Sequence, residues 1–138
     1  RIIFSPRLIN SEHLQRQMCA DLFLDTFPIC AHTTASDALW VGLPILTMSG
    51  KSMVSRVAGS ALKNIGLEEL ITHSIREYKD KALYLANNPK ELNIIKEKII
   101  SNRFNYPLFK TKEFTKNLEK VYVNLFDEFK DNYKSNKV

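Results

Sequence analysis

Cysteine is scarce in this chain: Cys19 and Cys30 are its only two among 138 residues, which allows one bridge at most. A domain of this length buries roughly two-thirds of its unfolded surface, so it needs no disulfide staple. Reduced thiols in a cytoplasmic protein are the expectation. Glycine is nearly as rare. Gly42, Gly50, Gly59 and Gly66 are the full set, and their spacing excludes the glycine-rich dinucleotide fingerprint. Ser49-Gly50-Lys51-Ser52 has the ending of a phosphate-binding P-loop, but Ile45 stands where the loop's first glycine belongs. The apolar runs are short and broken by charges, so no span of the ~20 residues that cross a bilayer is expected. No secretory leader is read at the amino end, and there is no initiator methionine, which points to a fragment. His13, His32 and His73 show no paired spacing with the cysteines, so no metal and no cofactor are expected. A nucleophile elbow is missing too.

What is present is an average globular balance, 44% hydrophobic and 25% charged. The net charge of +5 comes from 20 Lys and Arg against 15 Asp and Glu. Acids and bases are interleaved, as in Lys110-Thr111-Lys112-Glu113, which describes a solvated helix face. No nucleic-acid or membrane partner is expected.

The order of apolar runs alternates strand and helix. Arg1–Pro6 reads as a buried strand closed by proline, and Ser11 as the cap of a helix over Glu12–Ala20. Leu22–Asp25, Pro44–Met48 and the weaker Leu70–Thr72 read as further strands. Helices are expected from about Thr34 to Val41, with Gly42 as its stop, and from Ser52 to Ile65. The remainder reads as helices at Ile75–Ala86, Pro89–Arg103 and Thr111–Lys130. In the last of these Phe114, Leu118, Val121, Leu125 and Phe129 form an apolar stripe. Trp40 and the phenylalanines are assigned to core packing. The fold class expected is α/β: a parallel Rossmann-like sheet with helices on both faces and a carboxyl-terminal helical layer.

Ligands of such sheets bind beyond the strands' carboxyl ends. That rule selects the loops Ser5–Ser11, Asp25–Thr34 and Ser49–Ser52. His32-Thr33-Thr34-Ala35-Ser36-Asp37 opens a helix there, where free N–H groups and the helix dipole favour a phosphate. A structural alternative fits the same residues, a capping box between Thr34 and Asp37. His13, with Arg16 one turn on, is placed to stack on a planar base, or simply to be solvated.

The strings Phe4-Ser5-Pro6, Glu12-His13-Leu14, Ala20–Thr26, His32–Trp40, Gly42-Leu43-Pro44, Ser55-Arg56-Val57-Ala58 and Pro107–Thr111 together resemble the O-linked N-acetylglucosamine transferase family. This group of protein O-glycosyltransferases includes the SPINDLY-like enzymes. The likeness runs to about Lys130. It implies the carboxyl-terminal, donor-binding part of a GT-B glycosyltransferase: residues 1–131 as a partial nucleotide-sugar-binding domain, and 132–138 as a frayed polar tail. By the same resemblance His13 stacks on uracil, Arg16 lies beside the base, and the backbone at Leu8 contacts it. His32, Thr33 and Thr34 hold the diphosphate, and Asp37 binds ribose hydroxyls. Asn10 stands where the animal enzymes have a lysine near the ribose, which removes a charge from the nucleotide's surroundings. The resemblance also places a Gln and a Lys that touch the diphosphate, the amino-terminal catalytic lobe and substrate-gripping tetratricopeptide repeats ahead of Arg1. No residue of this chain is therefore assigned as general base, and the chain alone is expected to be inactive. The donor implied is a UDP-sugar and the acceptor a protein. GDP-fucose as donor, or a non-catalytic interaction module with a degenerate nucleotide site, are the alternatives. An uncovered apolar sheet edge or face predicts self-association.

Overall fold

The computed structural model describes residues 2–135, with side chains described through Asn132. Three parallel strands, β1 (Phe23–Leu24), β2 (Ile45–Met48) and β3 (Ile71–Thr72), lie in the order β1-β2-β3. Phe23 is opposite Ile45, and Thr47 is opposite Ile71. α2 (Thr33–Trp40) joins β1 to β2, and α3 (Val57–Lys63) joins β2 to β3. Two crossovers in one direction along a parallel sheet are right-handed and put both helices on the same face. α4 (Ile75–Asn87) also packs on β2 and β3, and α5 (Pro89–Asn105) packs on α4 and α2. The central strand is consequently covered on both sides, with Ile45, Leu46 and Thr47 all fully buried. Leu39, Leu62, Ile65, Leu67, Leu70 and Ile99 are among the other residues of the core. The α/β expectation is met.

Local chemistry explains several boundaries. α2 ends at Gly42, whose φ of +87° lets its N–H reach Leu39 O while Leu43 N–H reaches Ala38 O. This is the paired closure of a left-handed helix stop. Ser74 caps α4 by accepting the Glu77 N–H at 3.2 Å, and Glu77 reaches back to the His73 N–H at 2.8 Å. That contact, the largest influence on it, holds the Glu77 carboxyl below its ordinary value. Gly66 follows α3 with φ +74°, and a Cβ there would lie 2.5 Å from the Tyr106 ring. Gly66→Ala is therefore expected to lose roughly 1–3 kcal/mol, from backbone strain and the displaced ring. A urea midpoint equal to that of the parent chain would contradict it.

Several expectations are corrected. The buried strand expected over Arg1–Pro6 is not found among the described residues of that run, Arg1 lying outside them: Ile2, Ile3 and Phe4 are 83–93% exposed and pair with nothing in the sheet. An apolar run becomes a strand only where a neighbour supplies its ladder and a layer covers it, and no described element does either. α1 (Asn10–Met18) starts before Ser11, with Ile9 at the cap position and no side-chain cap bond. Ser11 lies inside the first turn. Leu24 is half exposed because β1 is an edge strand. The helix expected over Ser52–Ile65 is broken into a short turn, Met53–Ser55, and α3. The Gly50 N–H donates to Ser55 O around that turn. The buried face of α3 is Ala58, Gly59, Ala61 and Leu62, while Met53 is exposed.

The helical layer consists of α4 and α5. α6 (Thr111–Ser135) leaves it, and every residue of that helix from Thr111 to Asn132 is exposed, the Phe114–Phe129 stripe included. Helix α6 also runs through Asn132–Ser135, where a frayed tail was expected; residues 136–138 lie outside the described residues. Trp40 is half exposed rather than a core residue. Its indole meets Phe109 and Phe104 edge-on, and Arg103 lies over it while donating to the Trp40 carbonyl at 2.6 Å.

Candidate functional site

The carboxyl end of β1 runs straight into a loop braced by a buried carboxylate. Asp25 closes the strand and is only 3% exposed. Its Oδ1 accepts the N–H groups of Thr26 and Ala31 at 2.8 and 2.7 Å, and its Oδ2 accepts the Thr47 hydroxyl at 2.6 Å. A buried carboxylate is tolerated when its lone pairs are filled in this way. The network extends along the strand ends. Thr72 donates its hydroxyl to Thr47 O, and Tyr78 donates to Asp25 O at 2.9 Å. Burial first, and the Asp25 charge second, raise the Tyr78 phenol above its ordinary value. Tyr78 therefore stays a donor throughout the neutral range.

This brace fixes the residue just before α2. Ala31 is held by Asp25, and Cys30 by Val54: the Cys30 N–H and thiol both point at Val54 O, at 3.0 Å each. The same carbonyl accepts His32 Nε2 at 3.3 Å. A carbonyl only accepts, so Nε2 carries a proton and a neutral His32 ring keeps Nδ1 as an acceptor. His32 occupies the cap position with no side-chain cap bond. The N–H groups of Ala35 and Ser36 turn to His32 O, whereas those of Thr33 and Thr34 have no partner among the described residues. The capping box between Thr34 and Asp37 is absent, because Thr34 lies within the first turn rather than before it.

An open cavity of about 600 Å³ lies in front, lined by Asp25, Thr26, Ile29, His32, Thr33 and Thr34 among others. Two free N–H groups, two hydroxyls and the positive helix end thus face one space, a set suited to an oxyanion. Asp37 lies one turn further along α2, half-buried and outside the cavity lining, with no hydrogen bond or ion pair to its carboxylate among the described residues.

His13 and Arg16 sit on α1, which packs against α2. Arg16 donates to His13 Nδ1 at 3.0 Å and to Pro6 O at 2.9 Å. Arginine has only donors, so Nδ1 must accept and the proton of a neutral ring is on Nε2. Nε2 faces the Gln17 amide at 2.8 Å, which then presents its oxygen, an orientation set by the network. Both ring nitrogens of His13 are engaged along its edge, so a stacking partner meets the ring face. The bond from Arg16, in the last turn of α1, to Pro6 O holds the incoming segment against the helix, with half-buried Leu8 and exposed Asn10 between Pro6 and His13 in sequence. The structure therefore forms two groups: His32, Thr33 and Thr34 at the cavity, and Leu8, Asn10, His13 and Arg16 around α1.

The sequence reading missed the bracing role of Asp25 and Thr47 and the Cys30–Val54 clasp. An aspartate ending an apolar strand was the available signal, since a charge buried there needs partners. Among the described residues no group of three or more His, Cys, Asp and Glu could hold a metal ion. No described helix is long and apolar enough to cross a membrane.

The chain is 40% identical over 92% of its length to a probable UDP-N-acetylglucosamine–peptide N-acetylglucosaminyltransferase, SEC, of Arabidopsis thaliana. It is 35% identical over 94% of its length to the UDP-N-acetylglucosamine–peptide N-acetylglucosaminyltransferase of Caenorhabditis elegans. It spans 13% and 11% of those two proteins. A solved structure, a K341M mutant of the Thermobaculum terrenum O-GlcNAc transferase, superposes with a TM-score of 0.77 at 32% identity, covering 86% of this chain and 22% of that one. Residues 1–118 match glycosyl transferase family 41, and the chain belongs to that family.

Proposed function

We propose that this chain is the donor-binding part of a protein O-glycosyltransferase, which transfers N-acetylglucosamine from UDP to a Ser or Thr hydroxyl. The observation that carries the reading is the start of α2, where the Thr33 and Thr34 N–H groups have no partner among the described residues and His32 is held by Val54 O. There the diphosphate accepts from the two N–H groups and the threonine hydroxyls, with His32 beside it. His13 stacks on the uracil, with Arg16 fixing its edge and holding the Leu8 backbone near the base. Asn10 and Asp37 take ribose hydroxyls. The relatives named as UDP-N-acetylglucosamine–peptide transferases support the choice of donor and of a protein acceptor. As negative charge grows on the leaving UDP, the oriented donors at the helix start stabilise it without a covalent intermediate or a metal. The sugar is displaced with inversion, the acceptor being gripped by other parts of the longer protein. The exposed stripe of α6 and the exposed Ile2–Phe4 favour contact with more polypeptide, further copies of this chain included.

Calorimetric titration with UDP, GDP and ADP tests the reading. UDP is expected to bind in preference, and Asp37→Ala to weaken it more than about threefold, the loss of one hydrogen-bonded charge. Preference for GDP would move the donor to a GDP-sugar such as GDP-fucose. An unchanged UDP affinity in the variant would remove Asp37 from the site.

A further inference from the structure

A second cavity of about 460 Å³ opens at the carboxyl ends of β2 and β3. It is separated from the first by the Met53–Ser55 turn. Val54 O faces Cys30 and His32 on one side, while Met53 and Arg56 line the other. Three basic side chains line it: Arg56 before α3, Lys63 at the end of that helix and His73 after β3. Neither Arg56 nor Lys63 has an acidic partner among the described residues. Glu77 is the acid that faces His73, and its carboxylate is committed to the His73 backbone N–H. The Ser49 and Ser60 side chains add hydroxyl donors, and Met53, Val57 and Ile71 an apolar wall.

Gly59 gives an independent sign that the space is kept open. It lies inside α3, where glycine costs about 1 kcal/mol relative to alanine, and its backbone needs no positive φ. A Cβ there would meet only ordinary contacts, Ser49 Oγ at 3.5 Å and Ile71 Cγ2 at 3.7 Å. Packing therefore does not demand the glycine, yet the missing methyl leaves room at the cavity wall.

We infer that this cavity is a second oxyanion site, separate from the nucleotide site, taking a phosphate group between Arg56, Lys63 and His73. The phosphate is either free or carried on a peptide whose apolar neighbour lies against Met53 and Val57. The test uses the whole chain with saturating UDP present, so that the start of α2 is occupied. Inorganic phosphate is titrated while the His73 imidazole resonance is followed, identified by its loss in His73→Gln. A saturable shift is expected. Arg56→Gln with Lys63→Gln weakens it about tenfold or more, the loss of two charge-assisted contacts. Gly59→Ala weakens phosphate binding as well, while the melting temperature holds or rises.

A phosphoserine peptide with an apolar neighbour that binds more tightly than inorganic phosphate assigns the site to a peptide-borne group, and equal affinity assigns it to free phosphate. A non-saturable shift, one indifferent to the cation substitutions, or phosphate displaced by UDP overturns the proposal. The His13 and His32 resonances report UDP separately, so failure of the donor site is distinguishable from failure of this one.

Discussion

Asp25→Ala is expected to lower folding stability by about 3–5 kcal/mol, a large share of the ~5–15 kcal/mol that holds a domain together. The substitution strips the acceptor from three donors at once: the N–H groups of Thr26 and Ala31, and the Thr47 hydroxyl. Thr47 is fully buried and Ala31 is half-buried, so water replaces the lost contacts only at the exposed Thr26 end. An orphaned buried donor costs about 1–3 kcal/mol, and bonds to a carboxylate are roughly twice as strong as neutral ones. Asp25→Asn keeps the shape but turns an NH2 toward one of the three donors, so an intermediate loss is expected. Urea unfolding measures both, and a loss below about 1 kcal/mol for the alanine variant would show that the brace carries little. The effect reaches the site, because Ala31 precedes His32 and its position sets the direction of the first turn of α2.

The three-stranded core and its helices were legible because β2 is a continuous apolar run ended by Gly50 and because Gly42, Gly66 and Pro89 mark helix limits. Those signals are local. The packing expected of Arg1–Pro6 and of α6 was misjudged for the opposite reason, although α6 is the helix that was expected. An apolar run states that something covers it, not that the covering layer belongs to the same chain. Ile2–Phe4 and the Phe114–Phe129 stripe have the pattern of buried elements and remain exposed. The break at Met53–Ser55 was illegible because a helical period spans it, and the Val54 carbonyl is taken instead by Cys30 and His32, tertiary contacts that spacing does not give.

The candidate site divides in the same way. His32, Thr33 and Thr34 are consecutive, so one helix start brings them together and a linear motif suffices to find them. His13 depends on the packing of α1 against α2, and its ring orientation depends on Arg16 and Gln17, which spacing alone does not give. The second cavity is wholly non-local. Arg56, Lys63 and His73 are separated by up to 17 positions in sequence and meet only through the β2–α3–β3 crossover.

Thr34→Glu is expected to have opposite effects on folding and on binding. Thr34 is in the first turn of α2, where the helix dipole favours negative charge, and its side chain is exposed at the cavity. Stability should hold or rise by a few tenths of a kcal/mol, since nothing buried is disturbed. A diphosphate at the same helix start, however, would meet a fixed carboxylate within about 5 Å. At an effective dielectric near 20 that repulsion is on the order of 3 kcal/mol per charge pair, or more than a hundredfold in UDP affinity. Thr34→Val is the milder arm, removing only the hydroxyl and leaving the N–H, with a loss of roughly three- to tenfold. If Thr33 and Thr34 serve only to begin a helix, Thr34→Glu improves the fold and leaves UDP affinity where it was. Because stability holds or rises under either reading, the UDP titration alone decides between an anion site and an ordinary helix start.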